Sequence, residues 1–244
     1  CVGCADDFLE TETGSHLGGG FAVMDNVIDL KLEHKTYRRG SSSITLLENF
    51  SLTVAEGEKL AIVGESGVGK SSLLNILGLI DRHYAGSYTL LGRSARELSD
   101  RESAAWRNQR IGFVLQESAL INSLSIADNI KLPLLYARPP GSGRSGRFEE
   151  VVVTLDIGPI LRKKPLECSG GERARAVFAR AVIMSPQVIL ADEPTASLDA
   201  KNRSRIIGLL LGLNRDLGST VVTVTHDADV ASQHDRVVAL QRKA

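Results

Sequence analysis

The sequence predicts an α/β protein: a mainly parallel sheet covered by helices, an antiparallel β layer beside it, and an inserted helical subdomain. Three observations predict this. The apolar run Leu60-Ala61-Ile62-Val63 feeds a glycine-rich loop that opens into helical sequence at residues 72–80. Further apolar runs follow at residues 188–191, 220–225 and 237–240, with helical sequence between the first two. Two strands of alternating polarity stand near the start, as expected of an antiparallel layer with one buried face.

Taken in order, residues 1–23 are polar and rich in glycine, without an apolar period or the apolar core of a signal peptide. They are expected to be a disordered leader or an expression remnant, with the natural domain, residues 24–244, starting at Met24. Ile28, Leu30 and Leu32 alternate with Asp29, Lys31 and Glu33 in the first strand, and residues 50–54 alternate in the second. Between them lies Tyr37, followed by an expected flexible stretch, residues 38–43. Residues 55–58 turn the chain into the strand before the loop, and residues 88–92 read as another short strand. A strand at residues 111–115 ends at Gln116, and residues 117 to about 175 read as the helical insertion, broken by Arg138-Pro139-Pro140-Gly141-Ser142-Gly143.

Composition limits the function. At 244 residues the chain suffices for one sizeable core. Lys plus Arg equals Asp plus Glu at 29 each, and aromatics are sparse, so no nucleic-acid partner is expected. Apolar runs such as residues 206–211 fall short of the roughly 18 residues that span a bilayer. Cys1, Cys4 and Cys168 form no spaced framework, which fits a reducing, cytoplasmic location. Cys1 and Cys4 have no second pair or His cluster to complete a metal site.

The loop is Gly64-Glu65-Ser66-Gly67-Val68-Gly69-Lys70-Ser71, with Ser72 following. Its glycines let successive N–H groups point inward, making a nest for a phosphate at a helix N-terminus. The plain alternative is a glycine turn that happens to end in Lys-Ser, but strand and helix on either side are the setting a P-loop NTPase core requires. Lys70 would neutralise the outer phosphates, and Ser71 would put a hydroxyl on a magnesium ion.

The strand at residues 188–191 ends in Asp192-Glu193, at the tip where doubly wound sheets place ligand groups. In phosphoryl transfer Asp192 would hold the magnesium shell, and Glu193 would orient the attacking water or accept its proton. Gln116 and His226 each close an apolar strand. Singly, such residues are most often structural; together they would sense magnesium and the γ-phosphate. Ser169-Gly170-Gly171-Glu172 opens another helix, and reads equally as a second anion site or as an ordinary helix with Ser169 at its N-cap.

Gly64 to Ser71, Gln116, Ser169-Gly170-Gly171-Glu172, Asp192-Glu193-Pro194-Thr195, Ser197-Leu198-Asp199 and His226 stand in the order found in ATP-binding cassette ATPases, which this chain resembles from about residue 27 to its end. The resemblance implies a Mg-ATP hydrolase acting as a head-to-tail homodimer. In it Tyr37 stacks on adenine, Gln116 couples the site to a transmembrane permease subunit, and Ser197-Leu198-Asp199 communicates across the dimer, with Asp199 among the nucleotide-binding residues. It also implies a location peripheral to the inner face of the cell membrane. Residues 111–116, residues 191–195 and the end soon after the last strand resemble the macrolide-exporter and lipoprotein-releasing branch, hence export through a separate membrane subunit. Leu120, Leu124 and Leu132 are candidates for its docking groove or for the core. Non-transport relatives acting in cell division, DNA repair or on the ribosome are the alternative, and a regulatory module with a dead site is opposed by the intact Lys70, Asp192, Glu193 and His226. Cys168 stands where the family usually has Leu, which puts the packing of the signature helix in question.

Overall fold

The computed structural model describes residues 26–39, 42–115, 120–137, 146–196 and 198–241. Strand β1 (Asn26–Arg39) pairs antiparallel with β2 (Ser42–Ala55) on one side and with β4 (Ala85–Leu90) on the other, and β5 (Arg93–Ser94) extends this sheet in the order β2-β1-β4-β5. Ile28, Leu30 and Leu32 are buried along β1, as their alternation predicts. The expected flexible stretch is mostly strand: Arg38 pairs with Ser43 and Arg39 with Ser42. A ladder is made of backbone groups, so arginine and serine side chains continue it where apolar periodicity has already ended.

The second sheet is parallel and holds β3 (Lys59–Val63), β6 (Ile111–Val114), β7 (Val188–Asp192), β8 (Thr220–Val224) and β9 (Arg236–Ala239) in the order β6-β7-β8-β3-β9. Both of its faces are covered. Leu60, Ile62, Val188, Leu190, Val222 and Val224 turn toward helix α1 (Lys70–Leu77) and the antiparallel sheet. Ile189, Ala191 and Val221 turn the other way, into a second core with Phe178, Ile206 and Leu210. Neighbouring residues of one strand thus serve opposite cores, and the strands read as unbroken apolar runs.

The order has a functional consequence. Strands β7, β8 and β3 are consecutive and parallel, with Asp192 in register with Val224 and Val224 with Ile62. Their C-terminal tips, and the loops that follow, emerge side by side.

Between β6 and β7 the described chain is helical: α3 (Ile126–Leu135), α4 (Arg147–Thr154), single turns at Gly158–Ile160 and Pro165–Glu167, and α5 (Gly170–Val182). Helix α5 runs on past residue 175 to pack beneath the parallel sheet. Gln116, Ser197, the proline-glycine break and the whole of residues 1–23 lie outside the described residues. Leu120 belongs to the core, while Leu124 and Leu132 are half-buried. Helix α2 (Asp100–Gln109), which the apolar pattern did not reveal, begins at a capping box in which Ser99 and Glu102 exchange hydrogen bonds. Helix α6 (Ala200–Leu217) joins β7 to β8, and α7 (Ala228–Ala231) joins β8 to β9.

His234 locks that last connection. It is buried between the carbonyl oxygen of Val230, 2.9 Å from Nδ1, and the hydroxyl of Thr223, 2.8 Å from Nε2. A neutral ring that donates from Nδ1 and accepts at Nε2 satisfies both partners. Burial pushes its pKa below 6.5. The unfolded chain therefore takes up a proton first on acidification, so the stability that His234 contributes above about pH 6.5 is lost as pH falls through the folded-state value. Urea unfolding of wild type and His234→Gln at pH 8, 6.5 and 5 tests this. The wild type should lose the greater stability on acidification, and equal losses would contradict the assignment.

Candidate functional site

The glycine loop spans the gap between β3 and α1. Gly64 has no room for a side chain: a Cβ there would lie 2.5 Å from the carbonyl oxygen of Leu240, at the end of β9, and 3.0 Å from Cγ1 of Val68. Val68 is buried, so only its backbone faces the loop. Gly69 is the N-cap of α1 with φ 107°, a left-handed conformation that favours glycine. No side chain caps α1, nor α4, which starts at Gly146, whereas α2, α3, α5 and α6 have Ser99, Ser125, Ser169 and Asp199 accepting from their first turns. The free N–H groups of α1 and its positive dipole end are thus directed into the loop. Lys70 arches over it, its Nζ donating to the carbonyls of Gly64 at 2.6 Å and Glu65 at 2.8 Å. Ser66, Gly67, Gly69, Lys70, Ser71, Ser72, Asp192 and Glu193 line a cavity of about 360 Å³.

Two carboxylates close its far side. Asp192 ends β7 and lines the cavity with Ser71. Burial raises its pKa above 3.8; the Ser71 side chain and Lys70 oppose the rise, and the Glu193 charge adds to it. Glu193 takes φ 45°, and its backbone N–H donates to the Val224 carbonyl at 2.9 Å. The left-handed backbone is unfavourable for a residue with a Cβ by about 1–2 kcal/mol. Here it leads the side chain back between the strands, where His226 Nδ1 lies 2.7 Å from Oε1 and the Thr225 hydroxyl donates to Oε2 at 3.4 Å. The Glu193 side chain is 12% exposed and that of His226 69%. A carboxylate at Nδ1 selects the tautomer that donates from there and leaves Nε2 outward.

Thr225 was not anticipated from the sequence, where it looks like one more residue of a buried strand. Its hydroxyl also accepts from Asp227 N at 3.1 Å; Asp227 caps α7 and pairs with Arg203 of α6 at 3.1 Å. The segment carrying His226 is therefore held from both ends.

Ser169 forms a capping box with Glu172: the Glu172 N–H donates to the Ser169 hydroxyl at 3.2 Å, and the Ser169 N–H to the Glu172 carboxylate at 2.7 Å. That backbone hydrogen bond holds Glu172 below its usual carboxyl range, with Lys163 3.2 Å away. Of the two readings of this helix start, the capped helix is formed. A Cβ on Gly171 would meet Asn202 Oδ1 at 2.4 Å, so this glycine serves close packing between α5 and α6. Asp199 caps α6 and grips the same Asn202 through both carboxylate oxygens. Cys168 is buried in the helical core with its thiol 3.5 Å from the Lys164 carbonyl, and burial raises its pKa. It fills its place as a small apolar residue.

The structure thus brings together the loop, Lys70, Ser71, Asp192, Glu193 and His226. Ser169, Gly170, Gly171 and Asp199 do not line this cavity; Gly170 opens onto a separate one of about 550 Å³, with Leu115, Phe178, Pro194 and Leu198. Tyr37 lies on β1 opposite Ile44, its side chain outside the described set, as is Gln116.

A family profile described as ABC transporter matches residues 47–196. The macrolide export ATP-binding/permease protein of Aeromonas hydrophila is 43% identical over 202 residues, which are 83% of this chain and 31% of that protein. The chain thus spans about a third of the length of such relatives. The lipoprotein-releasing system ATP-binding protein of Alcanivorax borkumensis is 38% identical over 207 residues, covering 85% of this chain and 91% of that one. Among solved structures, a dimeric ATP-binding cassette in a post-hydrolysis state with ADP and Pi aligns with TM-score 0.80 at 38% identity, over 88% of this chain and 94% of that chain.

The loop geometry separates two kinds of glycine. Gly64→Ala must displace the Leu240 backbone and should cost about 1–3 kcal/mol of unfolding free energy. Gly67→Ala, with φ 80° and open space around it, should cost only the conformational term of about 1–2 kcal/mol. Only the Gly64 variant should disturb β9, seen as faster amide exchange at residues 237–239. Equal exchange in both variants would rule out the steric reading.

Proposed function

The chain belongs to the ABC transporter family, and from that premise we propose that it binds and hydrolyses ATP to drive a transmembrane permease of the exporting or lipoprotein-extracting kind. The observation that carries the reading is the pairing of Glu193 with His226 across a cavity whose opposite wall is the uncapped start of α1. One wall suits polyphosphate, and the other presents a base.

The N–H groups of the loop hold the phosphates, and Lys70 exchanges the carbonyls of Gly64 and Glu65 for the outer phosphate oxygens. Ser71 and Asp192 form a hard-oxygen pair that fits magnesium, an ion commonly held by one or two protein ligands together with substrate phosphates. When bound, magnesium supplies neutralisation of charge on the phosphate oxygens. Glu193 orients the attacking water and accepts its proton, with Thr225 and His226 fixing its carboxylate. His226 presents its remaining ring nitrogen to the γ-phosphoryl group. Gln116 and Tyr37 complete the site, at the metal and at the base respectively.

Ser169, Gly170, Gly171 and Asp199 serve the nucleotide of a second copy. Support comes from their absence from the lining of the Lys70 cavity and from the dimeric state of the solved relatives. The permease lies on a separate chain, or on the same one as in the ATP-binding/permease relatives. No helix among the described residues is long and apolar enough to cross a membrane; on this reading the chain sits at the inner membrane face, attached through that permease. Leu135 and Tyr136 are 76% and 72% exposed at the end of α3 and offer it an apolar contact in place of the core residue Leu120.

Glu193→Gln keeps the shape of the side chain, its amide oxygen accepting from His226 while its NH2 donates to the Thr225 hydroxyl in a reversal of the native bond, but it cannot take up a proton. Turnover should fall by about 10²–10⁴-fold, while ATP affinity measured by equilibrium dialysis stays within about twofold, a free-energy change of less than half a kcal/mol. Steady-state hydrolysis near the wild-type rate would overturn the assignment of Glu193 as the base.

A further inference from the structure

Strands β1 and β4 pair only as far as His34 and Ala85, whereas β1 and β2 continue to Arg39 and Ser42. Residues 36–39 and 42–45 therefore leave the four-stranded sheet as a two-stranded ribbon, a form of marginal stability by itself. The ladder shifts register between Lys35 and Thr36, where the ribbon departs. Tyr37 is on that ribbon.

Lys35 stands at this step. It is 2% exposed, and its ammonium donates to Asp81 Oδ2 at 2.6 Å and to the His83 carbonyl at 2.6 Å. Desolvating an ammonium ion costs several kcal/mol before its partners offset it, and an apolar side chain would fill the same space without that cost. What the pair provides is a fixed position. Asp81 is itself tied to the phosphate-loop helix: α1 ends at Leu77, and the N–H groups of Ile80 and Asp81 both donate to the Asn75 carbonyl, at 2.8 and 3.0 Å. The Asp81 carboxylate is oriented in turn by the His83 N–H, 2.9 Å from Oδ1. A continuous line of short contacts thus runs from the phosphate loop along α1 to Asp81, across to Lys35, and into the ribbon.

We propose that Lys35 is a positioning residue for the nucleotide base, setting the separation between the phosphate nest and the ribbon that carries Tyr37. The proposal rests on the reading that Tyr37 stacks on adenine. Lys35 does not touch the nucleotide. Its removal frees the ribbon to swing, so contact with the base is lost and contact with the phosphates is kept.

The test is the ratio of affinities for ATP and for inorganic tripolyphosphate, measured by calorimetry on the full chain as wild type, Tyr37→Ala, Lys35→Met, Lys35→Met/Tyr37→Ala and Lys35→Met/Asp81→Leu. Tyr37→Ala should weaken ATP binding by about 5- to 150-fold, which corresponds to base–aromatic stacking of about 1–3 kcal/mol, and leave tripolyphosphate binding unchanged. Lys35→Met should reproduce that split, and combining it with Tyr37→Ala should add little, as for two residues acting through one contact. The apolar pair Lys35→Met/Asp81→Leu should recover the wild-type unfolding midpoint without recovering the ATP preference. If Lys35→Met does not fold, this pair carries the same comparison. A split in Tyr37→Ala together with a wild-type ratio in the Lys35 variants, or recovery of the ATP preference by the apolar pair, overturns the role of Lys35 alone. A wild-type ratio in Tyr37→Ala overturns the stacking reading and the role of Lys35 with it.

Discussion

The uncapped N-terminus of α1 is the constraint around which the molecule is built. A helix start leaves backbone N–H groups without intrahelical partners, and five other helices of the described chain, α2, α3, α5, α6 and α7, meet this with a serine or aspartate side chain, while α4 starts at Gly146 without one. Helix α1 has glycine instead, reached through a loop pressed so close to β9 that Gly64 has no space for a methyl group. Its uncapped donors, gathered with Lys70 around one cavity, suit an anion. The rest of the parallel sheet determines which groups that anion meets.

Strand order does this with few residues. Because β7 and β8 follow β3 directly across the sheet, the residues after each strand arrive within a few ångströms of one another without any dedicated loop. Glu193 crosses from the end of β7 to hydrogen-bond the end of β8, at the expense of a left-handed backbone. Helix α6 then fastens the periphery. Its Asn202, held by Asp199, abuts the start of α5, its Arg203 pairs with Asp227 beside His226, and its Arg205 pairs with Asp156 at the end of α4, 3.1 Å away. Residues 199–205, about two turns of a single helix, thus touch both the helical insertion and the segment carrying His226.

Much of this was legible in the sequence, for a physical reason. Strands buried on both faces are long apolar runs, and a polar residue at the tip of such a run stands out, which is how Asp192, Glu193 and His226 were identified. Thr225 was missed because a threonine at the end of Thr223-Val224 carries no mark of its hydrogen bond to Glu193. The left-handed backbone of Glu193 has no sequence signal either, since only glycine announces that conformation. Helix α2 has few apolar residues and one buried side chain, Ser103, so its capping box was the available clue. Arg38, Arg39, Ser42 and Ser43 were read as part of a flexible stretch because arginine and serine hide a ladder that is purely backbone. At Ser169 the letters fitted a cap and an anion site alike; the structure shows the cap, and the nucleotide it is proposed to serve belongs to another copy.

In that proposed division of labour one copy would supply loop, base and histidine, and the other the start of α5. The most direct measurement is nucleotide occlusion by purified mixed dimers of one Lys70→Ala subunit and one Ser169→Arg subunit. In a two-fold arrangement both lesions fall in one composite site and leave the other whole. About one ATP should be trapped per mixed dimer and none in either mutant homodimer, by the symmetry of an isologous interface. No trapping in the mixed dimer, under conditions where wild type traps nucleotide in both sites, would contradict it.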